Sequence, residues 1–163
     1  MHWRAMTTLD LPAVETIAAA VHPAFPEDLA VFVERLALYP EGARFLEMNG
    51  QPAGYAVAHP WRDGTLPNLN ALLGALPEAA DTFYLHDLAL VNGARGTGAA
   101  AMIVGEMLRH ARLAGFGQMS LVAVNGSLPF WYKHGFRAVV APALADKLES
   151  YEPAARLMSR SLG

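Results

Sequence analysis

Residues 82–115 read TFYLHDLALVNGARGTGAAAMIVGEMLRHARLAG, and the fold is decided in this stretch. Thr82 to Val91 is an apolar run suited to a buried strand, Asn92-Gly93 turns the chain, and Ala94 to Thr97 forms a short loop. A helix is predicted from about Gly98 to Ala114. Its core stripe is Ala100, Ile103, Val104, Met107, Leu108 and Ala111, and Gly115 supplies a left-handed end. Gln118 to Val124 then predicts a second strand. A strand–helix–strand unit of this kind is parallel, with a right-handed crossover.

Working outward, His2 to Met6 reads as a short strand. Thr8 or Asp10 caps a helix carrying Leu11, Val14, Ile17 and Ala18, with Pro12 in its first turn. A second helix is predicted after Pro26, with Leu29, Val33 and Leu36 at helical spacing. Ala43 to Met48 and Pro52 to Ala58 are apolar runs joined by Asn49-Gly50, a strong hairpin signal. His59 to Ala80 is a long connection with a helical turn expected around Asn70 to Leu76; loops of that length in a compact domain are usually functional. After the central unit come a short helix from Leu128 to Lys133, a strand from Phe136 to Val140 and a last strand from Ala154 to Ser161. The order is α+β, and neither a repeat nor a linker divides residues 1–163, so one domain is expected.

Composition removes several classes. Of 163 residues, 53% are hydrophobic and 17% charged, a globular balance that argues against disorder. The absence of cysteine excludes a disulfide framework, a thiol nucleophile and a thiolate metal site. A net charge of -3 with no basic run gives no reason to expect nucleic acid. No stretch nears the roughly 18 apolar residues of a membrane span, and the start MHWRAMTTLD lacks the order of a secretory signal. A soluble cytoplasmic protein is the expectation. The six histidines show no metal-ligand spacing, and no metal is expected.

The chemistry lies in Arg95-Gly96-Thr97-Gly98-Ala99-Ala100. Glycines between a strand and a helix let successive N–H groups turn outward, and the helix N-terminus adds free amides and a positive dipole end. That combination suits a phosphate, with Arg95 as a positive charge at its rim; the plainer alternative is a tight turn. The segment is not a Walker loop, because no Gly-Lys-Ser/Thr follows. It lacks Gly-x-Gly-x-x-Gly spacing too, since Ala101 holds the third position.

The segment resembles the acetyl-CoA pyrophosphate loop of the GNAT superfamily of N-acetyltransferases, Arg/Gln-x-x-Gly-x-Gly/Ala, through Arg95, Gly98 and Ala100. Leu88-Ala89-Leu90 resembles the central strand whose backbone pairs with the pantetheine arm. NGSLPFWYKHGF, residues 125–136, looks like the family's second signature, an Asn followed by an aromatic helix ending in Gly-Phe. These pieces lie in family order across roughly residues 82–140. The resemblance implies a mixed central sheet of six to seven strands flanked by about four helices. It also implies that the parallel central strands splay after Leu90 and near Val124. It further implies acetyl-CoA as co-substrate, bound through Arg95, Gly96, Thr97, Gly98, Ala99 and Ala100, with Leu88, Ala89, Leu90, Asn125 and Trp131 along its path. The implied reaction moves an acetyl group to an amine, on a small molecule or a peptide, within a ternary complex. A non-catalytic acyl-CoA-binding module of the same fold is the alternative. Family members are often dimers, and the final strand is a plausible pairing edge.

Such a transfer needs a base for the amine and a proton for the departing thiolate. His86 is the preferred base, directly or through a water, because its intrinsic pKa is near neutrality. Family members that acetylate arylalkylamines are similar in carrying a His there; a buried core histidine is the alternative. A regular strand puts His86 on the face of Tyr84, Leu88 and Leu90, and Asp87 opposite. Asp87 then orients a loop, or becomes the base if a bulge reverses the register, and Tyr84 is a third candidate. For the acid, the family's usual Tyr position holds Trp131, whose indole N–H has no useful acidity. Either Tyr132 reaches the thiolate through a shifted helix, or water and backbone amides stabilise it. Asn125 either bonds the pantetheine or makes an ordinary turn. Trp61, Arg62, Leu66 and Leu69 form either a substrate-side wall or a plain surface loop, and Phe25, Trp61, Phe83 and Tyr84 either line an acceptor pocket or fill the core. His110 is expected to pair with Glu106, and His134 to carry partial positive charge at a helix end.

Overall fold

A computed structural model describes residues 1–163. Its seven strands are β1 (His2–Ala5), β2 (Ala43–Met48), β3 (Gln51–Trp61), β4 (Thr82–Leu90), β5 (Gln118–Ala123), β6 (Arg137–Ala138) and β7 (Arg156–Ser161). They form one sheet in the order β1-β2-β3-β4-β5-β7-β6, in which β4 and β5 alone are parallel neighbours. Helices α1 (Leu11–Val21) and α2 (Leu29–Leu38) cover one face. The other carries α3 (Ala99–Leu113) and α4 (Leu128–Lys133), while α5 (Ala145–Tyr151) precedes β7. This is the mixed sheet that the family resemblance implies, with α5 added.

Alternation along the strands builds two cores. Tyr55 and Val57 of β3 turn toward α1 and α2, where Leu11, Val14, Ile17, Phe32 and Leu36 meet them. Ala56 and Ala58 turn the other way, toward Ile103, Val104, Met107 and Ala111 of α3. The small residues of β3 let α3 lie close to the sheet, and the Trp3 indole donates to the Ala99 carbonyl at 3.0 Å, fixing the first turn of α3.

The central strand departs from regular alternation. Val57 pairs with Asp87 but Ala58 pairs with Leu85, so His86 is an extra residue, a β-bulge. Side-chain parity flips across it: Phe83 and Leu85 pack with α3, whereas Ala89 packs with α1 and α2. The expectation that His86 and Asp87 face opposite ways is therefore overturned. The parallel pairing also ends early. β4 and β5 pair at Phe83, Tyr84 and Leu85 with Met119, Ser120 and Leu121, so the strands part after Leu85, five residues before the predicted point.

Other expectations are corrected for local reasons. The buried stripe of α2 is Val31, Phe32, Arg35 and Leu36, while Val33 is exposed, because α2 packs both on the sheet and under the 62–81 connection. His59, Pro60 and Trp61 continue β3 instead of starting that connection. No helix forms around Asn70 to Leu76: the Glu34 carboxylate accepts from the Leu73 and Gly74 N–H groups at 2.6 and 2.9 Å, and Arg35 donates to the Ala71 carbonyl. With side chains satisfying its backbone, the segment gains nothing from helical bonds. β7 is not the outermost strand: it lies between β5 and β6, and β6 covers its outer edge at Met158 and Ser159. His110 meets the Tyr39 hydroxyl at 2.7 Å, and Glu106 pairs with Arg44 at 3.2 Å instead. Burial, with Lys133 and Arg160 nearby, holds His134 below its ordinary value, which disfavours the expected positive charge.

Two glycines with opposite surroundings test this packing. A Cβ at Gly42 would lie 1.9 Å from the Ala58 carbonyl oxygen, whereas Gly105 of α3 faces open space. Gly42→Ala is expected to cost at least about 1–3 kcal/mol in urea unfolding through overpacking. Gly105→Ala should gain roughly 0.5–1 kcal/mol, since alanine loses less backbone entropy in a helix.

Candidate active site

The loop before α3 is built to present amides. Gly96 and Gly98 take φ of 76° and 87°, a left-handed region that disfavours side chains. The Ala94 side chain is buried and its carbonyl accepts from the Thr97 hydroxyl, which anchors the loop. Ala99 is buried too, and its N–H is directed to Thr97 Oγ1 at 3.3 Å. The N–H groups of Gly96, Thr97, Gly98, Ala100 and Ala101 meet no acceptor in the protein. Beside the exposed Arg95 they form an anion cradle of the kind a pyrophosphate fills.

From this cradle a cavity of about 330 Å³ runs into the gap between β4 and β5. Leu88, Leu90, Arg95 and Ala100 form one wall, and Val124, Asn125 and Ser127 the other. Because the Val91 N–H bonds to Ala53 on the β3 side, alternation turns the backbones of Leu88 and Leu90 toward the gap. Ala89 does not face it: its backbone pairs with Tyr55 and its side chain lies in the core. Trp131 closes the inner end, buried, with its indole N–H donated to Ser127 Oγ at 3.1 Å. Tyr132 stands outside the cavity, 41% exposed, under the Arg137 guanidinium at 5.7 Å.

A second, smaller recess adjoins the first and is lined by Phe25, Glu27, Leu69 and Tyr151. His22, His86 and Asp87 line both, so they stand where the two cavities meet. The His86 imidazole is 5% exposed, and its Nε2 lies 2.8 Å from Glu27 Oε1 on the α1–α2 connection. Asp87 accepts a short hydrogen bond from the Tyr55 hydroxyl. His22 Nε2 lies 2.8 Å from Asp87 Oδ1, a close ion pair in which the ring N–H is not squarely aimed at the oxygen. The other His22 nitrogen, Nδ1, is 3.1 Å from the Asn125 amide.

Charge and burial divide these groups. Burial opposes a charged His22, but the Asp87 carboxylate outweighs it and holds the imidazole above its ordinary value. Burial likewise opposes the Asp87 charge, and the His22 ring with the Tyr55 hydroxyl overcomes it, keeping the carboxyl below its usual range. His59 is fully enclosed behind His86, with ring centroids 6.3 Å apart; burial pushes its imidazole down to about 3, so it is neutral. Tyr84 is buried with Leu66 and Leu157, and burial drives its phenol well up, which leaves it unsuited to proton transfer.

Several sequence candidates thus come together: Leu88, Leu90, Arg95, Ala100, Asn125 and Trp131 around the first cavity, Gly96, Thr97 and Gly98 in the loop between Arg95 and Ala100, and His86 and Asp87 at the junction with the second cavity. Of the residues proposed for the acceptor side, Leu69 and Phe25 reach the recess, whereas Leu66 and Phe83 fill the core. Asn125 has a left-handed backbone (φ 56°), as the turn reading requires; it also lines the first cavity and contacts His22. The sequence reading missed His22, Glu27 and Tyr55. His22 follows a helix and precedes Pro23, while its partners Asp87 and Asn125 lie 65 and 103 positions away; no local pattern links them.

Among curated proteins none matches this sequence. Solved structures with the same fold include the GphF GNAT-like decarboxylase in complex with isobutyryl-CoA, at 17% identity and TM-score 0.84, covering 100% of both chains. The loading GNATL domain of CurA from Lyngbya majuscula shares 15% identity at TM-score 0.79, covering 99% of this chain and 97% of that one. Arabidopsis thaliana Naa50 in complex with a bisubstrate analogue shares 13% at TM-score 0.75, covering 98% and 97%. The Acetyltransferase (GNAT) family matches residues 6–136, and with the loop, the bulged central strand and the open gap in place, the chain belongs to that family of CoA-dependent acyltransferases.

Proposed function

We propose that this protein transfers an acetyl group from acetyl-CoA to an amine, directly and within a ternary complex. The observation that carries the reading is the meeting of the two cavities at His22, His86 and Asp87. One cavity leads back to a cradle of free amides; the other is roofed by the α1–α2 connection, the 62–81 connection and α5. A donor in the first and an acceptor in the second would meet at titratable groups.

The residues divide the work as follows. The free N–H groups of the 96–101 loop and Arg95 hold the pyrophosphate. The exposed backbone edge of Leu88 and Leu90 bonds the amides of the pantetheine arm, in the manner of an added strand. Acetyl-CoA supplies the activated carbonyl. His86, polarised by Glu27 at 2.8 Å, receives the proton that the amine loses as its nitrogen attacks. Without cysteine in the chain, an acetyl-thiol intermediate is ruled out and direct attack is the simplest course. Much of the rate then comes from holding both partners in register.

A second reading keeps the first cavity and drops the acceptor. GphF is a GNAT-like decarboxylase bound to isobutyryl-CoA, and Trp131 with its N–H committed to Ser127 leaves no phenol at the gap. A decarboxylase, or a module that only binds acyl-CoA, is consistent with that substitution. Amine-dependent release of free thiol from acetyl-CoA separates both from acetyl transfer, since neither yields it.

Four outcomes test the proposal. Acetyl-CoA at about 100 times its dissociation constant adds ~2.7 kcal/mol to the folded state and should raise the unfolding midpoint by several degrees. Gly98→Glu puts bulk and negative charge into the cradle and should erase that shift; an unchanged shift removes the loop from the cofactor site. His86→Ala should lower kcat by about 10²-fold or more while leaving CoA affinity intact, as loss of a general base does. A wild-type pH–rate profile in that variant would strike His86 from the mechanism. Tyr132→Phe should leave kcat within about twofold, as expected of a side chain outside the cavity.

A further inference from the structure

A thioester that loses its thiolate needs a proton donor at the sulfur, and neither Trp131 nor Tyr132 supplies one. Trp131 is an indole whose N–H is taken by Ser127, and Tyr132 faces solvent. The remaining phenols near the junction are committed: Tyr55 to Asp87, and Tyr151 to the Pro67 carbonyl at 2.7 Å. One acidic group is left at the meeting of the cavities.

We propose that His22 is the catalytic acid of this site, giving its imidazolium proton to the CoA thiolate as the carbon–sulfur bond breaks. The proposal rests on the acyl-transfer reading above. Its geometry is that of a bridge. His22 ends α1, reaches Asp87 Oδ1 on β4 at 2.8 Å and Asn125 after β5 at 3.1 Å, and so stands across the open end of the gap. Each partner is itself held. Tyr55 donates to Asp87, and the Asn125 N–H donates to Glu152 Oε1 at 2.8 Å. The charged and titratable groups facing His22 are Asp87 and His86 on β4 and Glu27 on the α1–α2 connection, with Arg95 farther along the same cavity. The two carboxylates favour the cation, and Asp87 is the nearer and stronger.

Asn125 suits a group that must lose and regain a proton. Its amide can donate N–H to the bare Nδ1 of a neutral ring, or turn over and accept from Nδ1–H of the cation. Both protonation states are therefore satisfied without moving the backbone. The step balances. The amine lone pair forms the C–N bond, the C–S electrons leave with sulfur, and His22 protonates the thiolate to a thiol. His86 takes the proton released from nitrogen. Solvent returns one proton to His22 and removes one from His86. Two histidines, each beside its own carboxylate, thus act as acid and base on opposite reactants.

The test combines a contact readout with kinetics. In protein carrying ¹⁵N-labelled histidine, the His22 ring should titrate above the ordinary histidine range. CoA should shift its signals, whereas desulfo-CoA, which lacks only the sulfur, should leave them near their free positions. Equal shifts from the two ligands would overturn the contact. With an accepted amine, His22→Gln should keep CoA affinity, lower kcat by about 10²-fold and abolish the fall in rate on the alkaline side. That fall appears in the wild type because an acid stops working as pH rises through its pKa. Asp87→Asn, which leaves His22 in place, should move the same limb to lower pH. If His22→Gln retains the limb and the rate, His22 is only a bridge. If no amine supports turnover, the amine reading falls, and the sulfur-dependent ring shift alone decides whether His22 meets the thiolate.

Discussion

A backbone amide withdrawn from water must find a partner, and β4 leaves half of one edge without any. Its partner β5 stays with it for three residues and then turns away, so beyond Leu85 the N–H and C=O groups of Leu88 and Leu90 look into a gap. A sheet would ordinarily close such a gap by adding a strand. Here the gap is kept open by bulk on both sides: α3 lies beneath it, and α4 wedges Trp131 into its inner end. The cradle at the start of α3 then lies at the outer end of the same channel, because β4 runs into it through a single turn. The fold therefore places an anion cradle and an unpaired strand edge along one cavity.

The bulge at His86 completes this arrangement. A regular strand would have sent His86 and Asp87 to opposite faces of the sheet. The extra residue turns both toward the α1–α2 side, where Glu27 and His22 meet them. The two contacts are local, yet they tie the central strand to the end of α1 and to the chain beyond it. Burying polar groups of this kind is costly unless they are paired, and each of these four residues has its partner within 2.8 Å. The paired groups lie on separate elements, so the site is complete only after the whole sheet and its first two helices are assembled.

How much of this the sequence carries can be followed residue by residue. The loop from Arg95 to Ala100 is legible because its glycines and following helix stripe are contiguous, and local sterics alone demand them. The hairpin at Asn49-Gly50 is legible for the same reason. The phase of β4 is not, because a bulge leaves no mark in an apolar run: Leu85 and Leu88 both face α3, and either phase looks acceptable from the residues. The buried side of α2 is misread where a second layer lies over it. Arg35 is a charged residue by type, yet it is 1% exposed here because the chain from 62 to 81 lies on top. His22 escapes notice for a related reason. Its meaning comes from partners on a strand and a turn far along the chain, and only the assembled sheet brings them near.

The attachment of the 62–81 connection has an evolutionary consequence. Glu34 grips the main chain at Leu73 and Gly74, Arg35 the carbonyl of Ala71, and Tyr151 the carbonyl of Pro67. Every one of these bonds is directed at peptide groups, which all residues share, and none at the side chains of the gripped segment. Mutations at Ala71 and Leu73 can accordingly accumulate without loosening the attachment, whereas Gly74, at φ 78°, and Asn70, whose side chain accepts from the Asp28 N–H at 2.6 Å, are held to type. Leu69, which lies on this segment and forms part of the recess wall, is free to be exchanged by drift or selection. On the proposed assignment of this recess to the acceptor, new acceptor preferences can then arise by single substitutions while the first cavity stays as it is.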